Sequence, residues 1–227
     1  MLATLGLVTL VLTAFGSGSS SATAPLDAES TGAGLRAETT RPRPEVLATV
    51  GNLRVQLPVS AASVTALGYR GSDDGALELE PVGRQANEGL LARLWRRIAG
   101  ARRDGPVWYL LEGRPGTTVL AVGAAEGTDV YSPVDGSVVA ISDVVRNGRR
   151  IGSRVDVRPT QSPSVLVSLT NLRPDPALTV GAPVLAATSK LGTVADIAAV
   201  EDQSLAAHTE DSGNNVSISV YPSAGSL

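Results

Sequence analysis

The stretch that decides the fold is residues 126–139, which read EGTDVYSPVDGSVV. It contains a proline at Pro133 and an Asp135-Gly136 pair that leads directly into an apolar, β-branched run. Asp-Gly before such a run is typical of a tight turn that starts a β-strand. From 105 to 222, short apolar runs recur roughly every ten residues, and Asn147-Gly148 marks a further hairpin turn. The spacing predicts an antiparallel β-sandwich or small barrel.

The composition limits the chemistry that the chain can perform. Its 227 residues include no cysteine and a single histidine, His208, and the formal net charge is −3. The lack of cysteine excludes disulfides, thiolate nucleophiles and every cysteine-based zinc site. One imidazole is too few for a zinc site that needs two or three, and a Ser-His-Asp triad would have to use His208. The mild negative charge gives no reason to expect nucleic acid as a partner.

The first 44 residues predict an exported protein, either secreted or anchored to the membrane. Residues 1–15 are almost entirely apolar but shorter than the roughly 20 residues of a membrane-spanning helix. The Ala22-Thr23-Ala24 motif that follows matches a signal-peptide cleavage site, so we interpret 1–24 as a signal peptide or membrane anchor. Residues 16–44 are rich in Ser, Thr, Gly, Ala and Pro, which predicts a flexible linker over 25–44. We expect an extracytoplasmic location, with membrane contact through the N-terminal segment.

A smaller unit, residues 45–104, is expected to combine strands with one helix. Two apolar runs flank Gly51-Asn52 and predict a hairpin over 46–57, and a third strand is predicted over 64–69. Residues 87–103 predict an amphipathic helix with leucines on one face and arginines on the other. Such a helix either packs its leucines on a sheet or lies on an anionic surface.

Three stretches resemble the lysostaphin/LytM-type zinc metallopeptidases of bacterial cell walls. The first is EGTDVYSPVDGSVV at 126–139, which is similar to a hairpin shared by barrel-sandwich hybrid folds. The second, LTVGAPV at 178–184, resembles the V-x-x-G-x-x-V turn of those folds, and the third, SGNNVSISV at 212–220, lies where the peptidases carry S-x-G-P-H-L-H-F-E-V. Their order and spacing agree with the family. The resemblance implies a LytM-like barrel-sandwich hybrid domain over 105–222, followed by a short tail at 223–227.

The family's zinc positions, carried onto this chain, lack strong ligands. Active members hold zinc with the His and Asp of an H-x-x-x-D motif and with the last His of H-x-H. By the resemblance the first pair falls on Thr117 and Ala121, and the second on Asn215 and Ser217. A further family histidine falls on Asn171. Alanine has no ligand atom, and hydroxyl and amide groups bind zinc poorly compared with imidazole or carboxylate. The resemblance therefore implies a degenerate domain.

We expect a non-catalytic envelope protein without a cofactor, which binds peptidoglycan or regulates a wall hydrolase. The residues predicted to line the former active-site groove are Thr117, Asn171, His208, Asn215 and Ser217.

Three alternatives to this expectation stay open at this stage. The first is that the chain is an active wall metallopeptidase or hydrolase with its site elsewhere. The second is that it is a structural module that docks a partner through the helix of 87–103. The third is a biotinyl or lipoyl carrier, for which Lys190 is the only candidate attachment site; its flanks lack the usual acidic or methionine neighbours.

Overall fold

A computed structural model describes residues 41–89, 105–146 and 148–223. The strands are β1 (Val46–Val50), β2 (Leu53–Gln56), β3 (Leu67–Arg70), β4 (Glu80–Pro81), β5 (Arg84–Gln85), β6 (Val107–Leu110), β7 (Val119–Gly123), β8 (Asp129–Tyr131), β9 (Gly136–Arg146), β10 (Arg149–Pro159), β11 (Val165–Pro174), β12 (Pro183–Val184), β13 (Lys190–Val194) and β14 (Asn215–Pro222). Two short 3-10 helices are present at Ala61–Ser63 and Ser204–His208. The prediction of a mainly β chain is confirmed.

The strands form a small sheet and a large one. The small sheet has the order β2-β1-β4, and the large one the order β12-β9-β10-β11-β14-β7-β3-β6-β5, with β13 joining β11 to β8. Within the described ranges neither sheet closes into a barrel. β3 pairs antiparallel with β7 and parallel with β6. Strands from both sides of residue 104 therefore share one sheet.

Two tight hairpins follow the turn signals in the sequence. β1 pairs with β2 across Gly51, whose φ of 55° lies in the left-handed region that glycine tolerates. β9 pairs with β10 over their whole length, with Arg146 opposite Arg149, so the hairpin predicted at 147–148 is formed. Both strands have eleven residues and are the longest strands of the described residues.

The two faces of the large sheet differ because side chains alternate along a strand. On β14, Val216, Ile218 and Val220 point into the main core, together with Leu120 of β7 and Leu169 of β11. The intervening residues of β14 are Asn215, Ser217 and Ser219, so this strand has one apolar and one polar face.

Tyr69 connects the two sheets inside the main core. Its side chain is 1% exposed, and its hydroxyl donates a 2.8 Å hydrogen bond to the carbonyl oxygen of Leu47 in β1. The ring packs edge-on against Trp108, with centroids 5.1 Å apart. Burial raises the pKa of the Tyr69 phenol well above its usual range, so the hydroxyl stays a donor.

Parts of the predicted organisation lie outside the described residues. These are the N-terminal segment and most of the linker (1–40), most of the predicted helix (90–103) and the last four residues of the tail (224–227). Asn87, at the start of that predicted helix, uses its side-chain oxygen to accept a 2.9 Å hydrogen bond from the Leu110 backbone N–H. Among the described residues, the helices are too short and not apolar enough to cross a bilayer.

The link between Tyr69 and Leu47 leads to a stability prediction. Tyr69→Phe removes one buried hydrogen bond, but the Leu47 carbonyl still accepts the N–H of Val82. We therefore expect a loss of about 1 kcal/mol in the free energy of unfolding, measured by urea denaturation. The matched control is Tyr109→Phe, which keeps the ring and removes a hydroxyl with no hydrogen bond within the described ranges. Equal stability of the two variants would contradict the role given to Tyr69.

Candidate binding groove

A groove on the polar face of the large sheet has a floor of small side chains. Gly68, Ala121, Ser217 and Thr170 lie opposite one another on the neighbouring strands β3, β7, β14 and β11. A side chain at Gly68 has no room, because a Cβ there would lie 2.7 Å from the side chain of Leu111. Ala121, Ser217 and Thr170 of this row, together with Leu111, line a cavity of about 250 Å³, which we call the central groove.

Two walls enclose the central groove. One is the tip of the β9–β10 hairpin, which contributes Val144, Arg146 and Ile151. The other is the segment before β14, which contributes Ile197 and residues 201–205. Arg146 connects the walls, since its Nη1 lies 2.6 Å from both carboxylate oxygens of Glu201.

Asn171, Asn215 and Ser217 form a connected network at the floor. The Ser217 hydroxyl donates to Oδ1 of Asn215 at 2.9 Å, and Nδ2 of Asn171 lies 3.4 Å from the same oxygen. Nδ2 of Asn215 donates to the Gly213 carbonyl at 2.9 Å and to Oε1 of Gln203 at 3.3 Å. Asn215 is 4% exposed, so its amide is fixed by these bonds before any ligand arrives.

The backbone at Asn171 is in an unusual conformation. Its φ is 68°, in the left-handed region, which non-glycine residues seldom occupy and asparagine tolerates best. The Asn171 carbonyl accepts the N–H of Ala195, and β10 opposite has a register shift between Ser153 and Val155. This conformation costs free energy, and such costs concentrate at sites where the placement of a side chain matters.

The loop that leads into β14 is held by its own polar groups. Oδ1 of Asn214 accepts the backbone N–H groups of Ile197 and Ala198, both at 2.9 Å. Burial alone would raise the pKa of Asp211, but hydrogen bonds from the Thr209 hydroxyl and the Gly213 N–H outweigh it and lower the pKa overall. Asp211 is therefore ionised at neutral pH, and the loop places Asn215 rigidly beside the groove.

The charges of the central groove are only partly paired. Arg146 and Glu201 neutralise each other at the rim, whereas Arg70 on β3 and Asp202 also line the groove. Within the described ranges neither Arg70 nor Asp202 has an ion-pair partner. The groove therefore offers one guanidinium group, one carboxylate and a set of amide and hydroxyl groups.

The structure brings together some of the predicted site residues and separates others. Ala121, Asn171, Asn215 and Ser217 all line the central groove. Thr117 does not line it, because its hydroxyl donates at 2.7 Å to the Leu79 carbonyl ahead of β7.

His208 also lies away from the central groove. It ends the second 3-10 helix and stacks on Tyr109, with ring centroids 4.3 Å apart and planes 11° from parallel. The two rings line a separate, more apolar groove with Leu57, Val64 and Val107.

Sequence reasoning missed several polar residues that line the central groove. Thr170 precedes Asn171, and the alternation along β11 places it on the polar face, so that signal was available. Arg70, Arg146 and Gln203 come from distant parts of the chain, and only the tertiary fold brings them to the groove. No local motif distinguishes Arg70 from the other arginines.

The groove's donor set does not fit zinc. Ala121 has no ligand atom, and the remaining floor groups are two amides and two hydroxyls, which are weak zinc ligands. No group of three His, Asp or Glu side chains in the described part of the chain is arranged to hold a metal ion. What the arrangement offers is directional hydrogen bonding to a polar ligand.

Comparison with models of protein families, with curated proteins and with solved structures finds no match to this chain.

The central position of Asn215 in the network leads to a second stability prediction. Asn215→Ala removes the donor to the Gly213 carbonyl and the acceptor of the Ser217 hydroxyl proton at a nearly buried site. We expect the free energy of unfolding to fall by about 1–3 kcal/mol in urea denaturation. The control, Gln161→Ala at an exposed loop position, is expected to change it by less than about 0.5 kcal/mol. If Asn215→Ala were as stable as the control, the network would not be a structural element of the groove.

Proposed function

We propose that this chain is a non-catalytic protein of the cell envelope, with a degenerate LytM-like domain of barrel-sandwich hybrid type. Its central groove binds peptidoglycan, or the groove face binds and regulates a wall hydrolase. The N-terminal segment 1–24 and the linker 25–44 place the domain outside the membrane, either secreted or tethered.

One observation carries this proposal. Four of the five positions that the resemblance assigns to the former zinc site line a single groove, although they come from three strands far apart in sequence. Ala121 and Ser217 are directly opposite each other on β7 and β14, and Asn171 reaches both Asn215 and Ser217. An accidental motif match gives no reason for such convergence. Thr117 does not line this groove, because its hydroxyl is hydrogen-bonded to the Leu79 carbonyl instead.

The chemistry of the groove supports binding rather than hydrolysis. Zinc-assisted hydrolysis needs about three strong ligands and an open position, so that the bound water loses a proton near neutral pH. The groove instead presents amide and hydroxyl groups, which suit the peptide bonds and hydroxyl groups of a wall polymer. No observation favours a second function of another class.

The proposal predicts wall binding that depends on the groove floor. The full chain in mild detergent should co-sediment with purified peptidoglycan and release no soluble fragments. Ser217→Leu fills the floor with a branched side chain, so we expect at least a tenfold loss of bound protein, while circular dichroism stays unchanged. The matched control is Thr160→Leu at an exposed position outside the groove, which should bind like the unmodified chain.

Three results of this experiment would count against the proposal. Fragment release that needs added zinc and stops with a chelator would make the chain an active metallopeptidase. Fragment release without metal would indicate a hydrolase with an unrelated site. Equal binding of the Ser217→Leu and Thr160→Leu variants would place any wall contact outside the central groove. If the chain binds a wall hydrolase rather than the wall, the same pair of variants should separate in co-purification with that enzyme.

A further inference from the structure

We infer that the central groove binds an extended peptide end-on, with the free C-terminal carboxylate of the peptide at Arg70. This inference deepens the proposed function, since it assumes that the groove is a binding site and specifies the chemical group that the site recognises. It depends on the position of one guanidinium group, the length of the groove and the polar groups along it.

Arg70 lies at one end of the groove floor. It is the last residue of β3 and pairs with Val119 of β7, which in turn pairs with Ser219 of β14. Its side chain is half-buried and lines the groove. A half-buried guanidinium with no carboxylate partner in the described ranges is well placed for an anion, because its planar donors match both oxygens of a carboxylate.

The nearest acidic side chains in sequence already have partners. Asp73 pairs with Arg114, and Asp74 accepts hydrogen bonds from the hydroxyls of Ser72 and Tyr221. Across the groove, Glu201 is held by Arg146, and Asp202, which also lines the groove, makes no ion pair with Arg70. Arg70 is therefore the cation of the groove whose charge is not satisfied by a carboxylate of the described residues.

The other end of the groove carries the amide groups, at a distance that fits a short peptide. By strand register Arg70 is level with Ser219 across β7, and Asn215 lies four residues before Ser219 on β14, so the backbones of Asn215 and Ser219 are about 13 Å apart at the rise of a β-strand. An extended peptide of about four residues covers that length. The cation and the amide groups of the groove thus come from backbone positions at different levels along the sheet.

The groups at the amide end suit a peptide backbone. Oδ1 of Asn171 accepts no hydrogen bond from the described residues, so it is open to a peptide N–H. The Thr170 hydroxyl makes only a 3.5 Å contact with the Ser217 carbonyl and can turn to a ligand. A site that held only an isolated anion would need donors alone, whereas Asn171 adds an acceptor.

The test compares two probes that differ only at the carboxylate. Tetra-alanine as the free acid and tetra-alanine amide are titrated separately into the full chain in mild detergent, with binding followed by NMR shifts of the Thr170 and Asn171 amides. We expect the free acid to bind at least tenfold more tightly, because a charge-assisted pair with Arg70 is lost in the amide. Arg70→Gln should bind both probes equally, and the control Arg84→Gln, at an exposed position on β5, should keep the preference.

The outcomes separate this inference from the proposed function. Equal affinity of the unmodified chain for the two probes would overturn the inference, and so would the absence of binding to either probe. In both cases, wall binding that depends on the groove would still support the proposed function. Selective binding of the free acid by a chain that does not bind wall material would support the inference and refute the wall ligand. The comparison of the probes on the unmodified chain does not depend on the folding of any variant.

Discussion

The pairing of β14 between β11 and β7 is the constraint on which the rest of the structure depends. The three strands present Val167, Leu120 and Ile218 to the main core and Ser217, Thr170 and Ala121 to the opposite face. Because side chains alternate along a strand, a slip of one residue in β14 would bury Ser217 among valines and expose Ile218. The same register that stabilises the core therefore sets the floor of the central groove.

The groove is formed by a polar network on a rigid base. Asn215 is nearly buried and bonded through both atoms of its amide, and the loop before it is fixed by Asn214. Binding to such a surface costs little reorganisation, since the groups are already oriented. The ion pair at the rim joins Arg146 to Glu201, so the two walls are held together by a contact that water and salt weaken.

The sequence allowed the strands and hairpins to be predicted, because alternation and turn residues are local signals. The sequence did not predict that β3 joins the large sheet. β3 pairs in parallel with β6, and the two strands lie on either side of residues 90–104, so no local signal connects them. In the groove, Asn171, Asn215 and Ser217 were named through the resemblance. The position of Arg70 in the groove depends on the pairing of β3 in the large sheet, which the sequence does not reveal. His208 lies beside a different groove, because a 3-10 helix directs its ring onto Tyr109.

The insertion of β3 between β7 and β6 also determines how the chain divides. A protein cut at residue 104 would lose the strand that hydrogen-bonds to one side of β7, together with the Tyr69 side chain that reaches β1. The backbone groups of β7 would then form an open sheet edge next to Leu120 and Val122, and such an edge pairs readily with other chains. The two parts that the sequence suggests are thus joined within one sheet, and a cut between them would separate paired strands.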